Sequence, residues 1–314
     1  MVRKVHSVTP DSNPSPKHQA SASSCRKPRR QMENCSPASQ KSYVSRRWEH
    51  RNATDVKEQS VQRDTEGRYT VPILKDGDEF QRLGESRDIA FRRLQGKERR
   101  LARDASLRQQ YTAFMDEYLT LGHMRKVDES QETVKRCYLP HHTVVKEAST
   151  TTKVRVVFDA SCKTSTGISL NDTLHVGPVI QEDLRSIILP CRIKQIMLVS
   201  NIEKMFRQIN ILAEDRPLTC ILWRPRPTEE VTTYELGTVT YGTKSAPFLA
   251  TRTLHQLAME EEERFPAIQE DTYMDDVITG VDTIEEATDL RKQHMADAST
   301  CGVKMRKEGS SLIF

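Results

Sequence analysis

From residue 138 onward the chain changes texture every few residues, as short β-branched or apolar runs are each closed by a turn. The runs 143–146, 153–159, 196–201, 220–223, 234–239 and 277–279 read as strands. Two helices interleave with them. One starts at or soon after Tyr241 and reaches about Glu263; the other starts at Thr283, where Thr283 and Glu286 have capping-box spacing, and reaches about Thr300. A doubly wound sheet needs steady alternation of strand and helix, which is missing here, so the pattern predicts an α+β fold.

Ahead of this region the chain divides in two. Residues 1–60 read as a disordered basic tail rich in Ser, Pro and Gln, with Arg26, Lys27, Arg29, Arg30, Arg46 and Arg47 and no apolar period. Such a tail serves as a solvated linker, a nucleic-acid contact or a nuclear address. Residues 61–130 read as a strand plus a helical extension. A strand at 68–74 is interrupted by Pro72 and closed by the turn Lys75, Asp76, Gly77, Asp78. Ser86 is placed to cap a helix carrying Ile89, Ala90 and Leu94, and Asp104 one carrying Leu107, Tyr111, Phe114 and Tyr118 before Gly122. That aromatic stripe reads as core. Arg92, Arg93, Lys97, Arg99, Arg100 and Arg103 make the first helix strongly basic, which suits phosphate contacts and a solvated face equally.

Composition narrows the class. At 314 residues and 29% charged, with a formal net charge of +4, the chain can bury a sizeable core and meet a polyanion. Its seven cysteines (Cys25, Cys35, Cys137, Cys162, Cys191, Cys220, Cys301) are scattered and lack a C-x-x-C pair, which argues against a zinc knuckle and a disulfide framework. No run of eighteen apolar residues and no leader-like start occur, so the expectation is a soluble intracellular protein, cytoplasmic or nuclear, with no membrane partner.

Chemistry is carried by Tyr273, Met274, Asp275 and Asp276, followed by apolar Val277 and Ile278. Two adjacent carboxylates at the tip of a tight turn suit Mg²⁺-dependent nucleotidyl transfer. An Asp-Asp turn is equally a common solvated loop, so its neighbours decide. Lys153 and Arg155 fall on one face of a strand, where they can clamp a triphosphate. The stretch MLVSNIEKMFRQI (197–209) is a strand ending on a polar residue, then a short helical segment with Phe206. In YGTKSAPFL (241–249), Gly242 permits close backbone approach and Pro247 suits a first helical turn. A basic cluster, Lys304, Arg306 and Lys307, lies downstream.

Residues 67–307 resemble the fingers and palm of BEL/Pao LTR-retrotransposon reverse transcriptases, through the runs ERRLARD (98–104), YLPHHTVVKE (138–147), RVVFDAS (155–161) and SLNDTLHVGP (169–178) as well as the Tyr273–Asp276 turn. The resemblance implies a fingers and palm region over 131–314, with a ferredoxin-like palm sheet and packed helices. It implies two Mg²⁺ ions, with Mn²⁺ as a substitute, a template of RNA or DNA with its primer, and dNTP as substrate. Asp275 is then the principal metal ligand and Asp276 its neighbour. Tyr273 and Met274 lie near the primer end. Phe206 is the steric gate against a 2′-hydroxyl, Lys153 and Arg155 grip the β and γ phosphates, Gly242 floors the nucleotide pocket, and Lys307 protonates pyrophosphate.

One position departs from this family. It places an aspartate where this chain has Asn201, and an amide oxygen brings no negative charge to two dications. Glu203 is two residues away on a shifted backbone, a poor substitute. Impaired polymerase activity is therefore expected, with a catalytically dead nucleic-acid-binding relic as the alternative. A third reading, an unrelated α+β enzyme such as a nucleotide cyclase, lacks that class's GG-(D/E)-(E/D)-F turn. The family's polyprotein also carries protease, RNase H and integrase. The chain stops at Phe314, seven residues past Lys307, so the resemblance implies a piece without the thumb.

Overall fold

The computed structural model describes residues 61–128, 134–145, 154–261, 271–306 and 311–313. All of them belong to the second of two units, Ala53–Phe314. The basic tail, Lys153 and Lys307 lie outside the described residues.

In chain order the strands and helices are β1 (Gln62–Arg63), β2 (Tyr69–Val71), α1 (Arg87–Leu101), α2 (Ala105–Thr120), β3 (Met124–Lys126), β4 (His141–Val145), β5 (Val154–Phe158), α3 (Leu184–Cys191), β6 (Ile196–Asn201), β7 (Asn210–Ile211), β8 (Cys220–Trp223), β9 (Thr232–Leu236), α4 (Ala246–Glu260), β10 (Thr272–Tyr273), β11 (Asp276–Val281), α5 (Ile284–Thr300) and β12 (Ser311–Ile313). This is a mixed α+β fold. Four small sheets form, with strand orders β1-β2-β7, β3-β9-β8, β4-β5 and β10-β11-β6-β12.

The last sheet positions the candidate site. Its strands and the helices between them run βαββαβ along the chain (β6, α4, β10, β11, α5, β12), and β6 pairs antiparallel with both β11 and β12. Side chains alternate across it. On one face Ile278 packs on Ile187 and Cys191 of α3, with Met197, Val199 and Tyr273 around them. On the other, Ile196 and Val281 pack on Ala287 of α5. Gly280 is required where α3 crosses, because a β-carbon there would come within 2.9 Å of the Cys191 Cα. Asn201 and Asp276 are partners in the β6–β11 register, two residues beyond the pair Val199 and Ile278 on the same face. The ladder thus carries two polar side chains past the end of the apolar layer.

The helices follow their local signals with three differences. The Asp104 side chain accepts from the Leu107 amide at 2.9 Å and caps α2, and Thr283 and Glu286 form the full capping box of α5. Ser86 precedes α1 but does not cap it through its side chain; its hydroxyl accepts from the Tyr138 amide at 2.9 Å instead. Helix α3 has little helical signal in the sequence, being short and holding Pro190 near its end. Leu107, Tyr111, Met115 and Tyr118 are buried, so the aromatic stripe of α2 is core, as its spacing indicates. Lys97 differs from the exposed basic residue expected. It follows Ala90 by seven positions and Leu94 by three, which turns it inward to donate to the Tyr111 hydroxyl at 2.6 Å and contact His141 at 2.9 Å.

Candidate active site

β10 and β11 are joined by only two residues, Met274 and Asp275, since Tyr273 pairs directly with Asp276. A two-residue hairpin loop demands positive φ at its first position, and Met274 adopts φ +56° although it is not glycine. Such backbone costs an L-residue about 1–2 kcal/mol, so neighbours must hold it. Gln181 does this from outside the sheet: its side-chain oxygen accepts from the Met274 amide at 3.0 Å, and its side-chain nitrogen donates to the Thr272 carbonyl at 3.1 Å. The Asp275 carbonyl accepts from the Ile202 amide at 2.7 Å, which ties the loop to the chain leaving β6. The two aspartates are thereby placed at the sheet's end, each partly exposed.

Across the ladder, the Asn201 amide nitrogen donates to Asp276 Oδ1 at 2.9 Å. That bond occupies a carboxylate oxygen with a neutral donor. Among the described residues no group of three or more His, Cys, Asp and Glu side chains is placed to hold a metal ion. The polar groups at the hairpin end are thus two carboxylates and one neutral amide.

After β6 the chain turns sharply at Lys204, φ +49°, into the 3-10 turn Met205–Gln208. Glu117 of α2 anchors the turn, pairing with Lys204 and, at 2.9 Å, with Arg207. Burial alone would raise the Glu117 carboxyl, but Lys204 and Arg207 hold it below its ordinary range. The Arg207 guanidinium is itself buried over the rings of Phe114 and Tyr118, 4.8 and 4.3 Å from their centroids. Glu203 lies 3.7 Å from Lys204. This framework presents Phe206 to Tyr241, with ring centroids 4.6 Å apart. Burial raises the Tyr241 phenol above its ordinary pKa; Asp275 adds to the rise, while Arg207 and Arg155 oppose it. The structure thus brings Phe206, Tyr241, Arg155 and Asp275 into one neighbourhood.

Arg155 stands exposed on β5, between buried Val154 and Val156. Gly242 adopts φ +100°, and a β-carbon there would lie 2.1 Å from the Phe158 carbonyl oxygen, so its close approach is to the end of β5. Asn171 fastens this loop. Its side-chain nitrogen donates to the Gly242 carbonyl at 2.9 Å, and its side-chain oxygen accepts from the Lys244 amide at 2.8 Å. Tyr273 packs on the α3 face with Ile278 rather than standing free. Gln181 and Asn171 carry no signal of their own in the sequence. Asn171 lies within the run SLNDTLHVGP, and Gln181 three residues after its end.

No family model matches the chain, and no curated protein matches it. Among solved structures it is similar to the foamy viral protease-reverse transcriptase dRH in complex with double-stranded DNA, with a TM-score of 0.47 and 17% identity. The likeness covers 64% of this chain and 30% of that one, so the chain spans less than a third of its length. No described helix is long and apolar enough to cross a membrane.

Proposed function

We propose that this chain is the fingers and palm of a BEL/Pao-type reverse transcriptase, an RNA-directed DNA polymerase domain whose catalysis is impaired at Asn201. The observation that carries the reading is the hairpin end, where Asp275 sits in a two-residue loop with Met274 at positive φ, and Asp276, the first residue of β11, lies directly opposite Asn201. The βαββαβ order with strand sequence β10-β11-β6-β12 has the split βαβ arrangement expected of a ferredoxin-like sheet, which supports the palm reading. The remaining roles are consistent with this placement. Phe206 and Tyr241 would border the sugar of an incoming dNTP, and Arg155, with Lys153 before it, would meet the phosphates. Gly242 would set the pocket floor through its contact with β5, and Lys307 would serve the leaving pyrophosphate.

Asp275 and Asp276 would be the residues to hold Mg²⁺, which would supply Lewis-acid activation of a primer 3′-hydroxyl and charge neutralisation of a triphosphate. In this chain the Asn201 amide already satisfies one oxygen of Asp276, and among the described residues no third carboxylate joins Asp275 and Asp276 in a group placed to hold a metal. The same bond favours the second reading, a nucleic-acid-binding relic without chemistry. Primer extension with Mg²⁺ and dNTPs on an RNA template tests the reading. The expectation is little incorporation by the natural chain and a rise of about 10²–10³-fold for Asn201→Asp, the scale of removing or adding one preorganised electrostatic group. Equal activity of both proteins would refute impairment at Asn201, and an inert Asn201→Asp protein that still binds primer and template would favour the relic.

A further inference from the structure

Arg92, Arg93, Arg99 and Arg100 are all exposed on α1, on the side turned away from the buried residues Ala90, Leu94 and Leu101. At 3.6 residues per turn, Arg92 and Arg99 form one ridge and Arg93 and Arg100 the next, the members of each pair about 10 Å apart along the axis. None of the four pairs with a carboxylate among the described residues. Arg92 Nε donates to the backbone oxygen of Asp88 at 3.3 Å. Glu98 is already held by Arg224, which donates to its two oxygens at 2.7 and 2.9 Å. Asp88, in the first turn, is the other acid of the helix.

Gly96 lies midway between the two ridges. Glycine inside a helix is less stable than alanine and is kept where another backbone or a ligand must come close. The fold gives no such reason here, because a β-carbon at position 96 would meet only the Arg99 Nη2 at 3.8 Å. At Gly84, Gly177, Gly242 and Gly280 the same carbon would meet a neighbour within 2.3, 2.3, 2.1 and 2.8 Å. The glycine of α1 is thus unexplained by packing and is ringed by unpaired guanidiniums.

We propose that this face of α1 binds the sugar-phosphate backbone of a nucleic acid, with one strand lying across Gly96 between the arginine ridges. Guanidinium forks match phosphate oxygens in geometry as well as charge. The axial spacing of each ridge, about 10 Å, equals roughly three steps of a strand that advances 3.4 Å per phosphate. The ligand class rests on the polymerase reading above, while the surface itself lies outside the hairpin site.

Fluorescence anisotropy of the full chain with a labelled RNA–DNA hybrid, titrated over a range of salt, tests it. Replacing all four arginines by Gln should weaken binding about tenfold or more near 0.15 M salt and reduce the log–log salt slope by about three to four. Gly96→Gln should raise the melting temperature by about 2–4 °C yet weaken binding severalfold, an opposition that a merely structural glycine would not produce. Unchanged affinity and slope in the quadruple variant overturn the proposal. So does a Gly96→Gln protein that is more stable and binds normally, or an equal arginine-dependent loss of affinity for anionic vesicles. Primer extension by Asn201→Asp separates the two readings. If extension is absent while arginine-dependent binding persists, the catalytic reading fails and this surface stands. If extension is present and the arginine variant binds normally, only this surface fails.

Discussion

The interior cluster Lys97–Tyr111–His141 and the hairpin end at Asn201 and Asp276 both set polar side chains beside apolar layers, by opposite means. In the cluster, Tyr111 is fully buried and His141 is 6% exposed, and each polar atom has a neighbour: Lys97 donates to the Tyr111 hydroxyl, Tyr111 meets His141 Nδ1, and His141 Nε2 meets the Leu222 carbonyl at 2.9 Å. Trp223 and Phe158 close around them. At the hairpin the carboxylates are half-exposed and the unfavourable geometry is in the backbone, at Met274 and nearby Lys204, the two non-glycine residues with positive φ among those described. Burial makes the first network obligatory, since an orphaned group there costs its full desolvation. Exposure leaves the second able to exchange partners. The polar groups of the cluster are enclosed and satisfied, whereas those of the hairpin are held from behind and left open in front.

The largest effect expected from this contrast is the pH response of the enclosed cluster. Burial pushes the Lys97 ammonium well below its ordinary pKa, and burial followed by Lys97 does the same to His141. A base depressed in the folded state leaves the unfolded chain binding more protons, so stability falls as pH drops below the unfolded pKa, about 10.4 for Lys and about 6.5 for His, until the folded value is reached. Over pH 7–9 Lys97 should therefore make the natural chain gain stability relative to Lys97→Met, by up to about 1.4 kcal/mol per pH unit. The buried thiols of Cys137 and Cys220, pushed up by burial to about 11 and about 12, act the other way above about pH 8.5 in both proteins and cancel in the difference. Urea midpoints of the two proteins across that window check it. Parallel curves would mean that Lys97 is charged and solvated, and the contrast with the hairpin would collapse.

The same division separates what the sequence makes legible from what it does not. Strand β6 and strand β8 stand where their β-branched and apolar runs place them, and the caps at Asp104 and Thr283 act as their spacing predicts. These are local signals. The opposition of Asn201 and Asp276 is a matter of register between segments 75 residues apart, and only the βαββαβ pairing supplies it. Lys97 illustrates the converse failure, because a cation in a basic run reads as surface until its angular position over Leu94 is weighed. Gln181 and Asn171 were invisible since each acts on backbone groups from a distant loop, which no composition or period records.

A smaller effect is expected at the open end. Asn201→Asp removes the amide donor of Asp276 and sets two carboxylates on directly paired positions of adjacent strands, where like charges repel. In the absence of divalent cations the variant should lose about 1–2 kcal/mol relative to the natural chain. Millimolar Mg²⁺ should restore the loss in the variant and leave the natural chain unchanged, by the linkage that stabilises whichever state binds the ion. Thermal melts with and without Mg²⁺ read this independently of catalysis. Equal response of both proteins would show that position 201 does not contribute to a cation site.

The smallest effect concerns the backbone itself. Met274 at φ +56° carries a steric cost that glycine would not, so Met274→Gly should recover about 1–2 kcal/mol in the folded state and give back about 0.5–1 kcal/mol through the freer unfolded chain. The net expectation is a gain of about 0.5–1 kcal/mol, seen as a rise of a few degrees at most in the melting temperature. Lys204→Gly has the same backbone benefit at φ +49°, but it also removes the ion pair with Glu117, so its net change should be near zero. The two variants measured together separate strain from contacts. If Met274→Gly destabilises while Lys204→Gly does not, the methionine side chain contributes more to the hairpin than its backbone costs. The strain would then be confined to the Lys204 turn, and the hairpin's resting geometry would be held by packing, as in the enclosed cluster.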